Sequence, residues 1–270
     1  MSSARDYVLG THQAEITRLG LQHQVWRPYV LDAWARAGMT RGSNVIDFGA
    51  GPAHATIDAA DIVGPGGTVV ALERAPHFLD FARQSIERRE MGWVKVVQCD
   101  LMDDPVECND ADIAWCRWVA SFVTRPETLV EKLFGALRVG GKAVLHEYQQ
   151  YSTWRTIPVS ARLDSFVSEV MASWRASGGE PDIIASLLPL MTATGFKVRE
   201  VRPLVFAVPP SHFTWQWPAA FVSTNAARLV ELGRVSQAWA ESVERDFTAL
   251  VANPNAILVT PLVIEIIAEK

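Results

Sequence analysis

From Asn44 onward the chain alternates short β-branched runs with helical patterns, and this alternation limits the fold more than any other feature. The strand candidates are "NVIDF" (44–48), "TVVALE" (68–73), "VKVVQC" (94–99), "DIAWC" (112–116) and "KAVLHEY" (142–148). Turn signals lie between them, such as "PGG" at Pro65–Gly67 and "VGG" at Val139–Gly141. Strand, helix, strand repeated in this way demands right-handed crossovers and a parallel sheet covered on both faces. Two further strand candidates close the chain: residues 196–208, broken at Pro203, and "AILVTPLVIEIIA" (256–268).

Three segments fall outside this pattern. Residues 1–40 hold an amphipathic helix with Leu19, Val25, Trp26, Val30 and Trp34 as apolar contacts. Residues 149–180 interrupt the alternation after the fifth strand, and residues 209–253 do so between the last two. In the second of these, Val235, Trp239, Val243, Phe247 and Leu250 recur at helical spacing, and Gly233 marks a stop for the helix before them. No linker composition or internal repeat divides the 270 residues. The expectation is one α/β domain over 1–270, with a cofactor-binding half at 41–148 and helical insertions acting as a cap.

The turn after the first strand, "VIDFGAGPAHATIDAA", is nearly stripped of side chains at Gly49, Ala50 and Gly51. A strand feeding a glycine turn and a helix makes an anion site, because the first helical turn has free N–H groups and a positive dipole end. A nucleotide phosphate loop would need a lysine after its last glycine, and none is present. A dinucleotide turn would need a third glycine where His54 stands. A ligand bearing both a carboxylate and an ammonium group fits better. The helix end takes the first, and Asp47, two residues before Gly49, takes the second.

This stretch resembles the first motif of the class I S-adenosylmethionine-dependent methyltransferases, with its acid-x-Gly-x-Gly pattern. Further matches follow in order: "VVALERA" ending a strand in Glu73, "VVQCDLMD" ending one at Asp100, and "LRVGGKAVLHEY" before the fifth strand. The resemblance covers roughly residues 40–208 plus the final strand and is nearest the small-molecule branch that includes quinone-biosynthesis enzymes. It implies a Rossmann-like, seven-stranded, mostly parallel sheet with an antiparallel last strand. It also implies S-adenosylmethionine as cofactor, with S-adenosylhomocysteine as product. The cofactor residues it marks are Asp47, Gly49, Ala50, Gly51, Glu73, Arg74, Asp100 and Leu101. Glu73 would take the ribose hydroxyls, and Asp100 with the Leu101 backbone would face the adenine. Ala53 stands where many relatives carry a third glycine, and a shifted approach to the cofactor is expected there.

Arg117 and Trp118 follow the fourth strand and should lie beside the cofactor, with Arg117 a candidate for its carboxylate or for an acidic substrate. His146 and Tyr148 share one face at the end of the fifth strand. His146 is the candidate base by chemistry, set against a hydrogen-bonded structural role. His54 and His77 stand at helix starts and read as structural. Aromatic side chains are dense in the insertions, and with His212 they give a candidate substrate pocket of Trp118, Tyr148, Trp154, His212, Phe213 and Trp217. Methyl transfer needs no dedicated metal, and no His/Cys/Asp spacing here suggests one.

Net charge is −5, which argues against a broad nucleic-acid footprint. The sequence also has no basic arm and no Asn-Pro-Pro-Tyr motif after the fourth strand. Three cysteines without a pairing pattern, together with "MSSARDYVLG" at the start, suggest a reduced, cytoplasmic protein away from membranes. The expected partner is a small, apolar or aromatic acceptor methylated on O, N or C, by a monomer or homodimer. Macromolecular methylation, non-catalytic cofactor binding and NAD-dependent chemistry are the alternatives.

Overall fold

The computed structural model describes residues 13–270; the first twelve residues of the expected 1–40 helical segment lie outside that range. The elements run α1 (Gln13–Ala37), β1 (Asn44–Phe48), α2 (His54–Val63), β2 (Thr68–Glu73), α3 (Pro76–Glu87), β3 (Val94–Gln98), β4 (Ala111–Arg117), α4 (Pro126–Ala136) and β5 (Leu137–Tyr148). After these come β6 (Arg155–Ile157), α5 (Ala161–Ala176), α6 (Ile184–Thr194), β7 (Lys197–Leu204), β8 (Ala207–Val208), α7 (Gln216–Glu231), α8 (Gln237–Val251), β9 (Ile257–Val259) and β10 (Val263–Glu269).

Seven strands form one sheet in the order β3-β2-β1-β4-β5-β10-β7. β10 is antiparallel to both β5 and β7, and the other neighbours pair in parallel. This is the Rossmann-like, mostly parallel sheet with an antiparallel last strand. Strand order reverses between β1 and β4, so the carboxyl ends of these strands open a crevice there. Central strands such as β1 and β4 are buried on both faces and read as almost unbroken apolar runs. One core, containing Trp34, Val45, Val69, Trp115 and Val144, lies on the α1 and α2 side; the other, with Phe48, Leu129, Leu145 and Met191, lies on the α4 and α6 side.

The two closing segments differ from the sequence expectation. Pro203 does not break the strand: β7 runs through it and pairs Pro203 with Ile264. β7 is an edge strand, where a missing N–H can face away from the ladder. The break comes at Val205–Phe206 instead. Residues 256–268 are not one strand but two, separated around Pro261. Their first part, β9, joins a second sheet in the order β6-β9-β8. Each closing segment therefore gives one strand to the main sheet and one to the small sheet. Thr260 holds the junction: its amide donates to the Phe206 carbonyl, and its hydroxyl accepts from the Phe206 amide.

An ionic network, buried at Glu265 and His146 and open to solvent at Asp32 and Glu200, ties α1 to the antiparallel end of the sheet. Glu265 on β10 accepts from Arg36 of α1 and is bonded to His146 at 3.1 Å, while Arg36 also pairs with Asp32 and Glu200. Removing Glu265 leaves the buried His146 Nε2–H without its acceptor, at a cost of about 1–3 kcal/mol, while Arg36 keeps Asp32 and Glu200. Glu265→Ala should lower unfolding stability by that amount in urea titrations. A loss under about 1 kcal/mol would show that solvent already screens the network.

Candidate functional site

One cavity of about 1450 Å³ lies at the carboxyl edge of the sheet, where β1, β2, β3 and β4 end. Its floor is the glycine turn. Gly49 and Gly51 have φ of +70° and +55°, a conformation glycine adopts at little cost. The turn is pinned to the neighbouring strand by the Ala50 amide, which donates to the Leu72 carbonyl at 2.9 Å. The two glycines are needed for different reasons. A Cβ at Gly49 would stand 2.5 Å from the Val119 side chain, whereas one at Gly51 would meet nothing within 4 Å and faces the open cavity. Ala53 adopts φ +66°, a left-handed conformation, and the first helical turn starts from there.

The expected acids converge on this cavity. Asp47 is buried, accepts from the Thr56 hydroxyl at 2.6 Å, and lines the wall. Burial pushes its carboxyl up to about 6, against the pull of that hydrogen bond and of Arg117. Glu73 accepts from the Gly51 amide (2.9 Å), the Arg74 amide (2.8 Å) and the Ala75 amide (2.7 Å). Burial raises its pKa, and those three donors oppose the rise. A carboxylate offers about four acceptor positions, so roughly one remains for a ligand hydroxyl. Asp100 lines the opposite end with Leu101, held by its contact to the Met102 amide at 2.9 Å. Arg74 lies 3.8 Å from Asp100 and also lines the cavity.

Arg117 supplies the cation. Its guanidinium lines the cavity between Asp47 and Trp118, and burial lowers its pKa to about 10. Nη2 donates to His23 at 3.2 Å, while Nη1 is buried with no hydrogen-bond partner in the protein. An unsatisfied buried guanidinium N–H is costly. A carboxylate arriving in the cavity would satisfy it. This orphaned donor, the acid at Asp47 and the acid at Glu73 fit the amino-acid and ribose ends of S-adenosylmethionine.

Trp118 forms the wall next to Arg117, whose guanidinium lies 5.1 Å from the indole centre. The indole stacks on Tyr148 (5.4 Å, 12°) and on Trp217 of α7 (5.8 Å, 15°). Trp217 donates through Nε1 to Gln22 of α1 at 3.0 Å, and Gln22 also lines the cavity. Trp154 lies further back, packed against Tyr151, Phe166 and Phe221.

Six expected catalytic or pocket residues do not line the cavity: Tyr148, Trp154 and Trp217 pack behind its wall, and three are placed elsewhere. His146 is fully buried between Trp26 and Trp115 and does not reach the cavity. Its Nε2–H donates to the Glu265 carboxylate, which ties it to the ionic network, and burial lowers its pKa. The β5 pleat aims it at α1, away from the strand end. His212 is exposed and accepts from the Thr214 amide through Nδ1, capping a short helical turn. Phe213 is 46% exposed and also lies off the cavity.

Other residues were missed by sequence reasoning. His54 lines the cavity, and burial, aided by His23, drops its pKa to about 4. Gln22 and His23 come from α1. Their signal was available: Glu15, Arg18, Gln22 and Trp26 recur at spacings of three and four, so polar side chains occupy the buried stripe of that helix. Glu147 lies between His146 and Tyr148 on the opposite face of β5. It is buried and accepts from the Val119, Ala120 and Ser121 amides and the Ser121 hydroxyl.

Comparison with known proteins agrees with this geometry. Residues 46–145 match the model of a methyltransferase domain. The chain is 27% identical over 129 residues to a demethylmenaquinone methyltransferase of Geobacillus sp. (strain WCH70), covering 48% of this chain and 54% of that relative. The match thus spans about half the length of that relative. A demethylmenaquinone methyltransferase of Anoxybacillus flavithermus is 24% identical over 202 residues, 71% of this chain and 84% of the relative. Among solved structures, a proposed methyltransferase from Bacillus halodurans C-125 superposes with a TM-score of 0.58 at 16% identity, covering 89% of this chain and 98% of that one. Over residues 46–145 the chain is similar to methyltransferase domains, its fold is that of the solved structure above, and its cavity residues fit S-adenosylmethionine.

The two glycines give separable outcomes. Gly49→Ala combines a disfavoured φ with a clash, costing about 2 kcal/mol or more of stability. Gly51→Ala should lose only about 1 kcal/mol, yet weaken S-adenosylhomocysteine binding at least tenfold in calorimetry. Equal stability losses with equal affinities would refute the distinction.

Proposed function

We propose that this chain transfers the methyl group of S-adenosylmethionine to a small, largely apolar acceptor that presents a planar ring. The observation that carries this reading is the indole wall of Trp118, stacked on Tyr148 and Trp217, which borders the same cavity as Asp47, Glu73 and Arg117. A cavity of about 1450 Å³ exceeds the roughly 300–1,000 Å³ of a usual small-ligand pocket. It leaves room for a cofactor and an acceptor side by side. The similarity to demethylmenaquinone methyltransferases supports an acceptor of the quinone-biosynthetic kind.

In this reading the glycine turn and Glu73 hold the ribose, Asp100 and Leu101 border the adenine, and Asp47 and Arg117 take the ammonium and carboxylate. The bound cofactor supplies an activated methyl on a sulfonium, so the protein's task is alignment and exclusion of water. Trp118, backed by the stacked Tyr148, orients the acceptor ring. Trp217 and Gln22 lock the roof through their hydrogen bond, with α7 packed over α1. Helices α5, α7 and α8 act as the cap over the cofactor-binding half. No described helix is long and apolar enough to cross a membrane.

A methyl-tritiated cofactor offered with a demethylated quinol, bulk RNA and a protein lysate tests the reading. Label should enter the quinol-type acceptor. Label in RNA or protein alone would overturn it. Glu73→Ala should weaken cofactor binding roughly ten- to a hundredfold, because charge-assisted bonds are worth about 1.5–3 kcal/mol. Trp217→Ala should raise the acceptor KM while leaving cofactor affinity within about twofold, since it touches the acceptor wall and not the glycine turn.

A further inference from the structure

His23 is a buried histidine at the seam of α1, α2 and the cavity, and the site described above assigns it no task. Its Nδ1 lies 3.2 Å from Arg117 Nη2, and its Nε2 lies 3.0 Å from Asp58 Oδ2. A guanidinium can only donate, so Nδ1 must accept. A carboxylate can only accept, so Nε2 must carry the proton. The neutral Nε2–H tautomer is thereby fixed from both sides. Burial lowers the pKa of His23, which keeps this form at neutral pH, although Asp58 pulls the other way. The groups facing the ring are Asp58 and His54 of α2, Arg27 of its own helix and Arg117 of β4.

We propose that His23 is a positioning residue: it links Asp58 to Arg117 and holds the guanidinium so that Nη1 stays available to the carboxylate of the cofactor's amino-acid end. Three elements meet in this chain of contacts. Asp58 sits one turn into α2, just past the glycine turn, and is itself clamped by Arg27 at 2.6 Å. Arg117 ends β4. His23 brings α1 to both. Holding one side of the guanidinium occupies Nη2 and leaves Nη1 as the orphaned donor. Without an acceptor at His23, Arg117 could turn toward Asp47, which already attracts it electrostatically. The two would then neutralise each other, and the carboxylate and ammonium subsites would be lost together. The link also makes docking of α1 part of cofactor binding, and such coupling is reciprocal.

The inference rests on the cofactor reading of the cavity, and dissecting the ligand separates the two. Calorimetry on the full chain would use S-adenosylhomocysteine, which has the amino-acid end, and adenosine, which lacks it. His23→Phe should weaken S-adenosylhomocysteine at least tenfold and leave adenosine within twofold. His23→Asn keeps an acceptor atom at the Nδ1 position and should recover most of the loss. His23→Phe combined with Arg117→Met should bind no worse than Arg117→Met alone, because the two act through one contact. In hydrogen exchange, S-adenosylhomocysteine should slow Gln13–Arg27 in the wild type but not in His23→Phe. Equal losses for both ligands, an Asn variant as weak as Phe, or additive effects with Arg117→Met would overturn the positioning role. Failure of the wild type to bind S-adenosylhomocysteine would overturn the cofactor reading and this inference with it.

Discussion

The cavity depends on a carboxylate that never touches it. Glu147 is buried on β5 and accepts four hydrogen bonds, at 2.7 to 3.3 Å, from Val119, Ala120 and Ser121. These residues form the loop that leaves β4. Water is excluded there, so each amide would be stranded without the carboxylate, at a cost of about 1–3 kcal/mol apiece. Burial pushes Glu147 up to about 7, and all four donors favour the charged form against that rise. The loop is thus held against the strand ends. Val119 then closes over Gly49, the Trp118 amide reaches the His146 carbonyl at 2.9 Å, and Arg117 and Trp118 are aimed into the crevice. Trp118 takes φ +53°, a costly conformation for a large residue. The ties on either side of it keep it there.

How far the sequence could be read follows from how local each determinant is. The parallel sheet and the glycine turn were legible because strand period, turn chemistry and the positions of Asp47, Glu73 and Asp100 are set by short stretches of chain. The crevice then follows from topology alone. The breaks in the closing strands were not legible. A proline reads as a break in any strand, but Pro203 lies on an edge, and edge position is decided by the whole sheet. His146 was misplaced for a related reason. Alternation along β5 tells which residues share a face, but not that α1 covers that face with Arg36 or that β10 brings Glu265 into reach. Glu147 was passed over because its partners are mainly backbone amides, which leave no trace in side-chain patterning.

Helix α1 shows where local rules give way. A helix that packs on a sheet should turn an apolar stripe inward, and Val25, Trp26, Val30 and Trp34 do so. Toward its start the same stripe carries Glu15, Arg18, Gln22 and His23, all buried. Each has a partner: Arg18 bonds both Glu15 and Gln22, Gln22 accepts from Trp217, and His23 bridges Asp58 and Arg117. The apolar half secures the helix to the sheet. The polar half satisfies groups at the cavity edge that a leucine could not. The conflict with the binary pattern marks the length of helix that faces the site.

The aromatic roof follows from the same division. A ligand cavity needs an apolar wall to exclude water, but the wall must be placed by something directional, since hydrophobic burial has no preferred angle. Here the directional contacts sit at the rim. The Trp217 indole N–H binds Gln22, the Tyr151 amide donates to Asp182 at 2.9 Å, and Glu147 fixes the backbone just past Trp118. Between those fixed points the rings of Trp118, Tyr148 and Trp217 stack with few polar demands. Trp118 Nε1 is the exception, buried without a partner beside the cavity. The wall beside the cavity is therefore the roof's least satisfied part.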